Sequence, residues 1–194
     1  MLLRRRNLMF VKSSGDLPSG FTRLEFIEST GTQWIQTGIK QARFEHDIAF
    51  SNTTNRDLMG NSAAGGQYWG ATTAKTQYEF AGNNINLNPT IRRIVTYNNI
   101  DSKAISLSAD GITHINARTY SDIPNEFTVL AIAGTLYACN AKLYGFRAYD
   151  ESDNLIADYI PALDKQGRPC MYDTVSKQPK YSDGTGEFSA GKEM

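Results

Sequence analysis

The stretch that decides the fold is LEFIESTGTQWIQTGI, residues 24–39. Two short runs of aromatic and β-branched residues, which suit a pleated and half-buried surface, flank a Ser-Thr-Gly-Thr turn at residues 29–32. Gly31 can supply the positive φ angle that such a turn often needs. The stretch therefore predicts a strand, a tight turn and a second strand.

Short β-type runs continue along the rest of the chain. Residues 43–50 alternate, with ring-bearing and aliphatic residues on one face and Glu45 and Asp47 on the other. Asp110-Gly111 stands between two alternating runs, which is a strong signal for a β-hairpin. Pro161 is expected to end the strand at residues 155–160, because it offers no N–H to a neighbouring strand.

The pattern as a whole predicts an all-β fold. No segment has the sustained i, i+3, i+4 pattern of a helix, and we expect about a dozen strands in a two-sheet sandwich. Unpaired edge strands are avoided if the two ends of the domain meet, so we expect residues 24–39 to lie beside the strands at 143–160. The core should then include Phe26, Ile35, Phe146 and Ile160.

Length and charge fit one mildly acidic domain with a basic arm. A chain of 194 residues is long enough for one substantial core. The chain is neutral overall, but residues 1–15 contain basic residues and no acidic one, so the remainder is acidic. We therefore assign a basic arm to residues 1–19 and one folded β-sandwich domain to residues 20–194, and we expect the folded domain to bind no nucleic acid.

The arm has too little apolar content to fold alone. Its residues Arg4, Arg5, Arg6 and Phe10 are candidates for docking on an assembly partner. A solvated terminus without a partner explains the same composition, and both interpretations stay open.

The cysteines and the N-terminal sequence bear on the compartment. Cys139 and Cys170 are expected to be free thiols, since disulfide scaffolds use more cysteines, although a pair is the open alternative. Residues 8–11 are too short an apolar run for a signal peptide, and no run is long enough for membrane insertion. We expect a protein made in the cytoplasm without a signal peptide.

Both ends of the domain carry a resemblance. Residues 21–35, FTRLEFIESTGTQWI, resemble the opening of a family of concanavalin A-like (laminin G-type) jelly-roll domains of phage and prophage structural proteins from gut bacteria. The closing strands of that family resemble, in order, KLYGFRAYD at 142–150, ADYIPA at 157–162, MYDTV at 171–175 and GTGEFSAG at 184–191.

This resemblance implies a concanavalin A-like two-sheet antiparallel jelly-roll sandwich. It further implies a non-enzymatic virion structural or attachment protein of a tailed phage, such as a capsid decoration, head or tail fibre component. The expected partners are other virion proteins, reached through the N-terminal arm, and further copies of the chain in a homo-oligomer. The expected location is the virion, after synthesis in the host bacterial cytoplasm.

Glycoside hydrolysis is the remote alternative. Concanavalin A-like folds include retaining β-glucanases whose strand reads Glu-x-Asp followed by a second Glu, and Glu45-His46-Asp47 matches only the first part. Such hydrolysis needs two carboxyl groups about 5 Å apart, but Ala49 and Phe50 stand where the second would be. We interpret Glu45 and Asp47 as the solvent side of their strand. The two histidines have no zinc-ligand spacing, and no nucleophile elbow is present, so we predict no enzyme.

A carbohydrate-binding module for cell-surface glycans is the main alternative function. Tyr68, Trp69 and Tyr78 lie near Gly-rich and Asn-rich loops, where flat rings can stack on a sugar. The same rings can instead fill the core of short inner strands.

Calcium is the one cofactor for which the sequence offers a set of ligands. Asp150, Asp153 and Asn154 offer the hard oxygen ligands that this ion prefers. The same residue types also form turns by default, so the cluster has two interpretations.

Overall fold

The computed structural model describes residues 16–51, 57–61, 68–71, 77–80, 83–100, 105–116, 125–132 and 138–194. These residues form β-strands and no helix. Nothing in this part of the chain is a helix long and apolar enough to cross a membrane. The strands are β1 (Thr22–Arg23), β2 (Ile27–Thr30), β3 (Ile35–Gln36), β4 (Arg43–Phe50), β5 (Asp57–Gly60), β6 (Tyr68–Ala71), β7 (Tyr78–Phe80), β8 (Asn83–Ile85), β9 (Arg93–Asn98), β10 (Ile105–Ala109), β11 (Ile112–Asn116), β12 (Thr128–Val129), β13 (Ala131–Ile132), β14 (Asn140–Tyr149), β15 (Leu155–Leu163), β16 (Pro169–Asp173), β17 (Gln178–Lys180) and β18 (Ser189–Ala190).

The strands form two sheets packed as a sandwich of the jelly-roll type, which confirms the predicted fold class. The larger sheet has eleven strands in the order β11-β10-β9-β4-β14-β15-β16-β17, with β2 beside β14, β1 beside β15, and β18 beside β2. The smaller sheet has seven strands in the order β3-β12-β5-β6-β7-β8, with β13 beside β5. The opening and closing parts of the chain therefore meet in the larger sheet, as expected for β2 and β14.

The main core lies between the two sheets. Phe146 of β14 is fully buried there, and its ring centroid lies 5.9 Å from that of Phe44 and 4.9 Å from that of Tyr159. Ile35 of the smaller sheet is also fully buried. The predicted core positions of Ile35 and Phe146 are confirmed.

A second apolar cluster lies on the outer face of the larger sheet, the face turned away from the smaller sheet; its buried members are Ile160, Ala162, Cys170 and Tyr172. Ile160 is therefore buried as predicted, but on the opposite face. Phe26 is only half-buried, because its ring packs on this outer face against Tyr144. Leu17 packs on the cluster, so the sandwich includes a residue that lies within the predicted arm.

The segment at residues 29–32 is a corner between the sheets, so the predicted hairpin is wrong. β2 pairs with β14 in the larger sheet, whereas β3 pairs with β12 in the smaller one. Gly31 has the expected positive φ, 103°. The Ser29 hydroxyl donates to the Gln33 carbonyl at 2.9 Å, and the Thr30 N–H donates to the Gln33 side-chain oxygen at 2.9 Å. Local sequence specifies the turn, while long-range pairing decides where its second strand goes.

The Asp110-Gly111 hairpin is confirmed. Ala109 of β10 pairs with Ile112 of β11, and the two turn residues have φ angles of 48° and 79°. Positive φ at both central positions is the geometry of the type I′ turn that this dipeptide favours.

Pro161 does not end its strand, and that prediction is wrong. β15 continues to Leu163, and the Pro161 carbonyl accepts a hydrogen bond from the Leu24 N–H at 3.0 Å. The ring nitrogen of Pro161 has no hydrogen to donate. It faces the same neighbour as the carbonyl, just beyond the end of the two-residue strand β1. A short neighbour leaves this position tolerant of proline.

Cys139 and Cys170 are both buried, and no disulfide joins them, as predicted. Cys139 lies in the main core and Cys170 in the outer cluster.

Candidate functional site

The strands β14 and β15 form a hairpin whose far ends separate like a fork. Near their loop the two strands pair directly, as far as Phe146 with Tyr159. Beyond this point residues 22–30 enter between them, because β1 pairs with β15 and β2 pairs with β14. A cavity of about 660 Å³, here called the fork pocket, lies where the strands separate. Its lining comes from residues 23–25, 144–145, 158–160 and 192–194, together with Asp47 and Arg92.

A β-bulge in β14 helps to shape the fork pocket. Leu143 pairs with Ile48 and Gly145 pairs with Asp47, so two residues that are adjacent in β4 face two that are not adjacent in β14. Tyr144 is the extra residue. Bulges bend a strand and redirect a side chain, and here the Tyr144 ring contributes to the wall of the pocket on the outer face.

Asp47, Arg92 and Tyr144 form one rigid unit in the pocket. The Arg92 guanidinium donates from Nε to Asp47 Oδ1 at 2.8 Å and from Nη2 to Oδ2 at 2.7 Å. Its Cζ atom lies 3.9 Å from the Tyr144 ring centroid. The hydrogen bonds to Asp47 raise the pKa of Arg92 above its ordinary value. A bidentate pair stacked on a ring holds its donors and acceptors in a fixed plane.

The other charged groups of the pocket are nearly balanced in sign. Asp158 accepts from Arg147 Nε at 2.9 Å and from the Thr174 hydroxyl at 2.9 Å, so a fixed ion pair holds it. Two basic and two acidic side chains remain in the lining: Arg23, Lys192, Glu25 and Glu193. The pocket is therefore strongly polar without carrying a large net charge.

The prediction that Glu45 and Asp47 face solvent is wrong. They are 5% and 7% exposed on the outer face of the larger sheet. Glu45 accepts hydrogen bonds from Arg43 and, at 3.3 Å, from the Tyr149 hydroxyl. The Arg43 guanidinium lies 3.9 Å from the Tyr149 ring centroid. Long side chains from neighbouring strands cover this face, which period-two alternation alone does not reveal.

The rings predicted to stack on sugars are core residues where the structure describes them. Trp69 and Tyr78 are fully buried, and their ring centroids lie 6.0 Å apart. Trp69 also packs against His46, at 5.0 Å between ring centroids. A ring without an exposed face cannot stack on a sugar, so their assignment to a glycan site is corrected. Tyr68 lies in β6, with its side chain outside the described part.

The three residues predicted to bind calcium do lie together, in the loop between β14 and β15. Asp150 Oδ1 accepts from the N–H groups of Ser152 and Asn154, and its Oδ2 accepts from the Asn154 amide at 2.9 Å. Asp153 forms an ion pair with Arg43. These contacts are those of a turn-forming cluster. No group of three His, Cys, Asp or Glu side chains in the described ranges is arranged to hold a metal ion, so the calcium site remains only a prediction.

The arm residues Arg4, Arg5, Arg6 and Phe10 lie outside the described part of the chain. Their docking role stays a prediction.

No family model matches the chain, and a comparison with curated proteins finds no similar sequence.

The functional candidates that sequence reasoning missed are Arg92 and Tyr144. Arg92 directly precedes β9, and Tyr144 stands in the middle of β14. Their meeting with Asp47 depends on the register of three strands and on the bulge. The alternation at residues 43–50 places Asp47 on the outer face, but it carries no signal for the partners.

Proposed function

We propose that the protein is a non-enzymatic structural or attachment component of a tailed phage particle, built on a lectin-like jelly roll. The observation that carries this proposal is the position, in the fold, of the stretches that resemble the phage jelly-roll family. Residues 21–35, 142–150, 157–162, 171–175 and 184–191 contribute to β1, β2, β14, β15, β16 and β18, which are neighbours in the larger sheet; Ile35 alone lies in a strand of the smaller sheet. β14 contacts β2 and β15, β15 contacts β16, and β2 contacts β18. The resemblance thus describes one continuous framework around the fork pocket.

The surroundings of Glu45 support a protein without hydrolase chemistry. Its carboxylate is engaged by Arg43 and Tyr149. Ala49 and Phe50, at the positions where a second carboxyl group would be needed, are buried. Glu45 therefore lacks a second carboxyl group at the positions where this hydrolysis would need one.

The proposed partners are inferred from the composition of residues 1–15, which precede the described residues. Residues 1–15 combine a basic cluster with several apolar side chains, which suits docking on an acidic and partly apolar surface of another virion protein. A homo-oligomeric state on the particle and synthesis in the host cytoplasm complete the proposal. Recognition of cell-surface glycans is the second candidate function, and the fork pocket is the feature that favours it.

The test is to locate the protein on particles. Antibodies raised against the full chain should label gradient-purified phage from the strain that encodes it, and mass spectrometry should find the chain in the same fractions. A chain lacking residues 1–15 should fold with an unchanged melting temperature but should not be incorporated. Absence of the full-length chain from particles that are otherwise complete would overturn the proposal.

A further inference from the structure

We propose that the fork pocket binds an uncharged oligosaccharide of roughly two or three rings. This proposal rests on the proposed function, because an attachment protein needs a site that recognises its target. It places that site on the outer face of the larger sheet. Trp69 and Tyr78, two of the candidate sugar-stacking rings, lie on the other side of this sheet, in the core.

The charged side chains around the fork pocket nearly balance, which favours an uncharged ligand. Asp47 is paired with Arg92, and Asp158 is paired with Arg147. The charged side chains that remain in the lining are two basic and two acidic ones, so the side chains give the pocket little net attraction to an anion or a cation. A purely apolar ligand is disfavoured as well, because it would strip water from these charged groups without replacing the hydrogen bonds.

Arg92 and Asp47 present hydrogen-bond donors and acceptors side by side in the fork pocket, which favours a ligand with hydroxyl groups. A guanidinium has five N–H donors, and two of those on Arg92 bond Asp47. Its side chain is 50% exposed, and the structure gives Arg92 no other hydrogen-bond partner among the described residues, so donors remain available. Both Asp47 oxygens keep acceptor capacity beside them. Neighbouring hydroxyl groups on a sugar ring both donate and accept, which matches a donor and an acceptor fixed side by side.

The fork pocket is preorganised and large enough for a small ligand. The Arg92 guanidinium is clamped between the Asp47 carboxylate and the Tyr144 ring, so ordering it on binding costs little conformational entropy. The volume of about 660 Å³ falls within the ordinary range for small-molecule sites.

The experiment is a glycan array probed with the labelled full chain, followed by titration calorimetry with the strongest array ligand. The array carries neutral, sialylated and sulfated glycans. Arg92→Met should weaken binding about tenfold or more. Arg92→Lys, which keeps a positive charge beside Asp47 but loses the bidentate geometry, should also weaken it. Circular dichroism confirms that each variant is folded.

The chain provides a matched control in Arg168. Its side chain is 49% exposed, its Nε donates to Asp164 at 2.9 Å, and its Cζ atom lies 4.6 Å from the Tyr181 ring centroid. Arg168 has the same chemistry as Arg92 outside the fork pocket, so Arg168→Met should bind like the unmodified chain.

Binding of a neutral glycan that is lost with Arg92 and kept with Arg168→Met supports the proposal. Binding confined to charged glycans, binding that survives both Arg92 variants, or no binding to any arrayed glycan overturns it. These failures leave the proposed virion function standing if the antibody still labels the particles. Conversely, a pocket that binds sugar in a protein absent from particles would overturn the virion function alone.

Discussion

Lowering the pH from 7 to 5 should destabilise the sandwich through one buried histidine. His46 has no exposed surface, and its ring lies 5.0 Å from that of Trp69 and 5.1 Å from that of Phe146. Burial among these rings lowers its pKa to about 3, and a contact with the Val95 backbone opposes this only in part. The folded state therefore keeps His46 neutral in a range where the unfolded chain binds a proton.

The sign and size of the effect follow from this difference. With a folded pKa of about 3 against about 6.5 when unfolded, stability is full near pH 7 and falls as the pH drops below 6.5. Integrated from pH 7 to pH 5, the loss is about 2 kcal/mol. In a domain of this length that corresponds to a fall in melting temperature of about 4–8 °C. Asp150 and Asp164, whose pKa values are lowered, lose their stabilising effect only near pH 4 and below.

The assay is urea unfolding at pH 7, 6 and 5, followed by circular dichroism. In His46→Leu, which fills a similar volume without a titratable group, the free energy of unfolding should change by less than half as much over this range. His114→Leu removes the other histidine and keeps His46, so it should retain the full pH dependence. An equal loss in His46→Leu and in the unmodified chain would refute the reasoning, because the proton uptake would then lie elsewhere.

Four further outcomes test the packing and the chemistry. Phe146→Ala should cost about 3–5 kcal/mol of unfolding free energy, whereas Ile91→Ala, at a position 53% exposed, should cost little; similar small losses for both would contradict the assigned core. Gly184→Ala should lower the melting temperature, because a Cβ there would lie 2.0 Å from the Thr32 backbone oxygen; an unchanged melting temperature would show that this contact relaxes. Burial raises the pKa of the Cys170 thiol to about 12, so iodoacetamide at pH 8 should label it in urea but not in the native state, as mass spectrometry would show. Incubation with a panel of β-glucans should release no reducing ends above background, and turnover that Glu45→Gln abolishes would contradict the non-enzymatic proposal.

Much of the fold could be predicted because it depends on short-range signals. The Asp110-Gly111 turn is specified by two residues that accept positive φ. The inward face of β4 follows from simple alternation. The corner at residues 29–32 could not be predicted in the same way, since its turn chemistry is compatible with a hairpin and with a crossing between sheets.

The candidate site could not be predicted, because no local pattern encodes it. Asp47, Arg92 and Tyr144 come from three parts of the chain and meet through strand register. The bulge at Tyr144 changes which face a side chain occupies, and alternation assumes that no such change occurs. The sequence alone leaves the place of Trp69 open, because aromatic residues near glycine-rich loops occur both in binding sites and in cores.

The pairing of residues 22–30 with the last strands affects how the protein folds during synthesis. Glu28 pairs with Ser189, and Leu24 pairs with Glu193. The opening strands therefore have no partners on these edges until residues 189–193 have left the ribosome. Contacts of such long sequence separation slow folding and leave strand edges exposed in the meantime. The larger sheet is therefore completed only once residues 189–193 have emerged, and a nascent chain stalled before residue 189 would present the edge of β2 to chaperones or to other nascent chains.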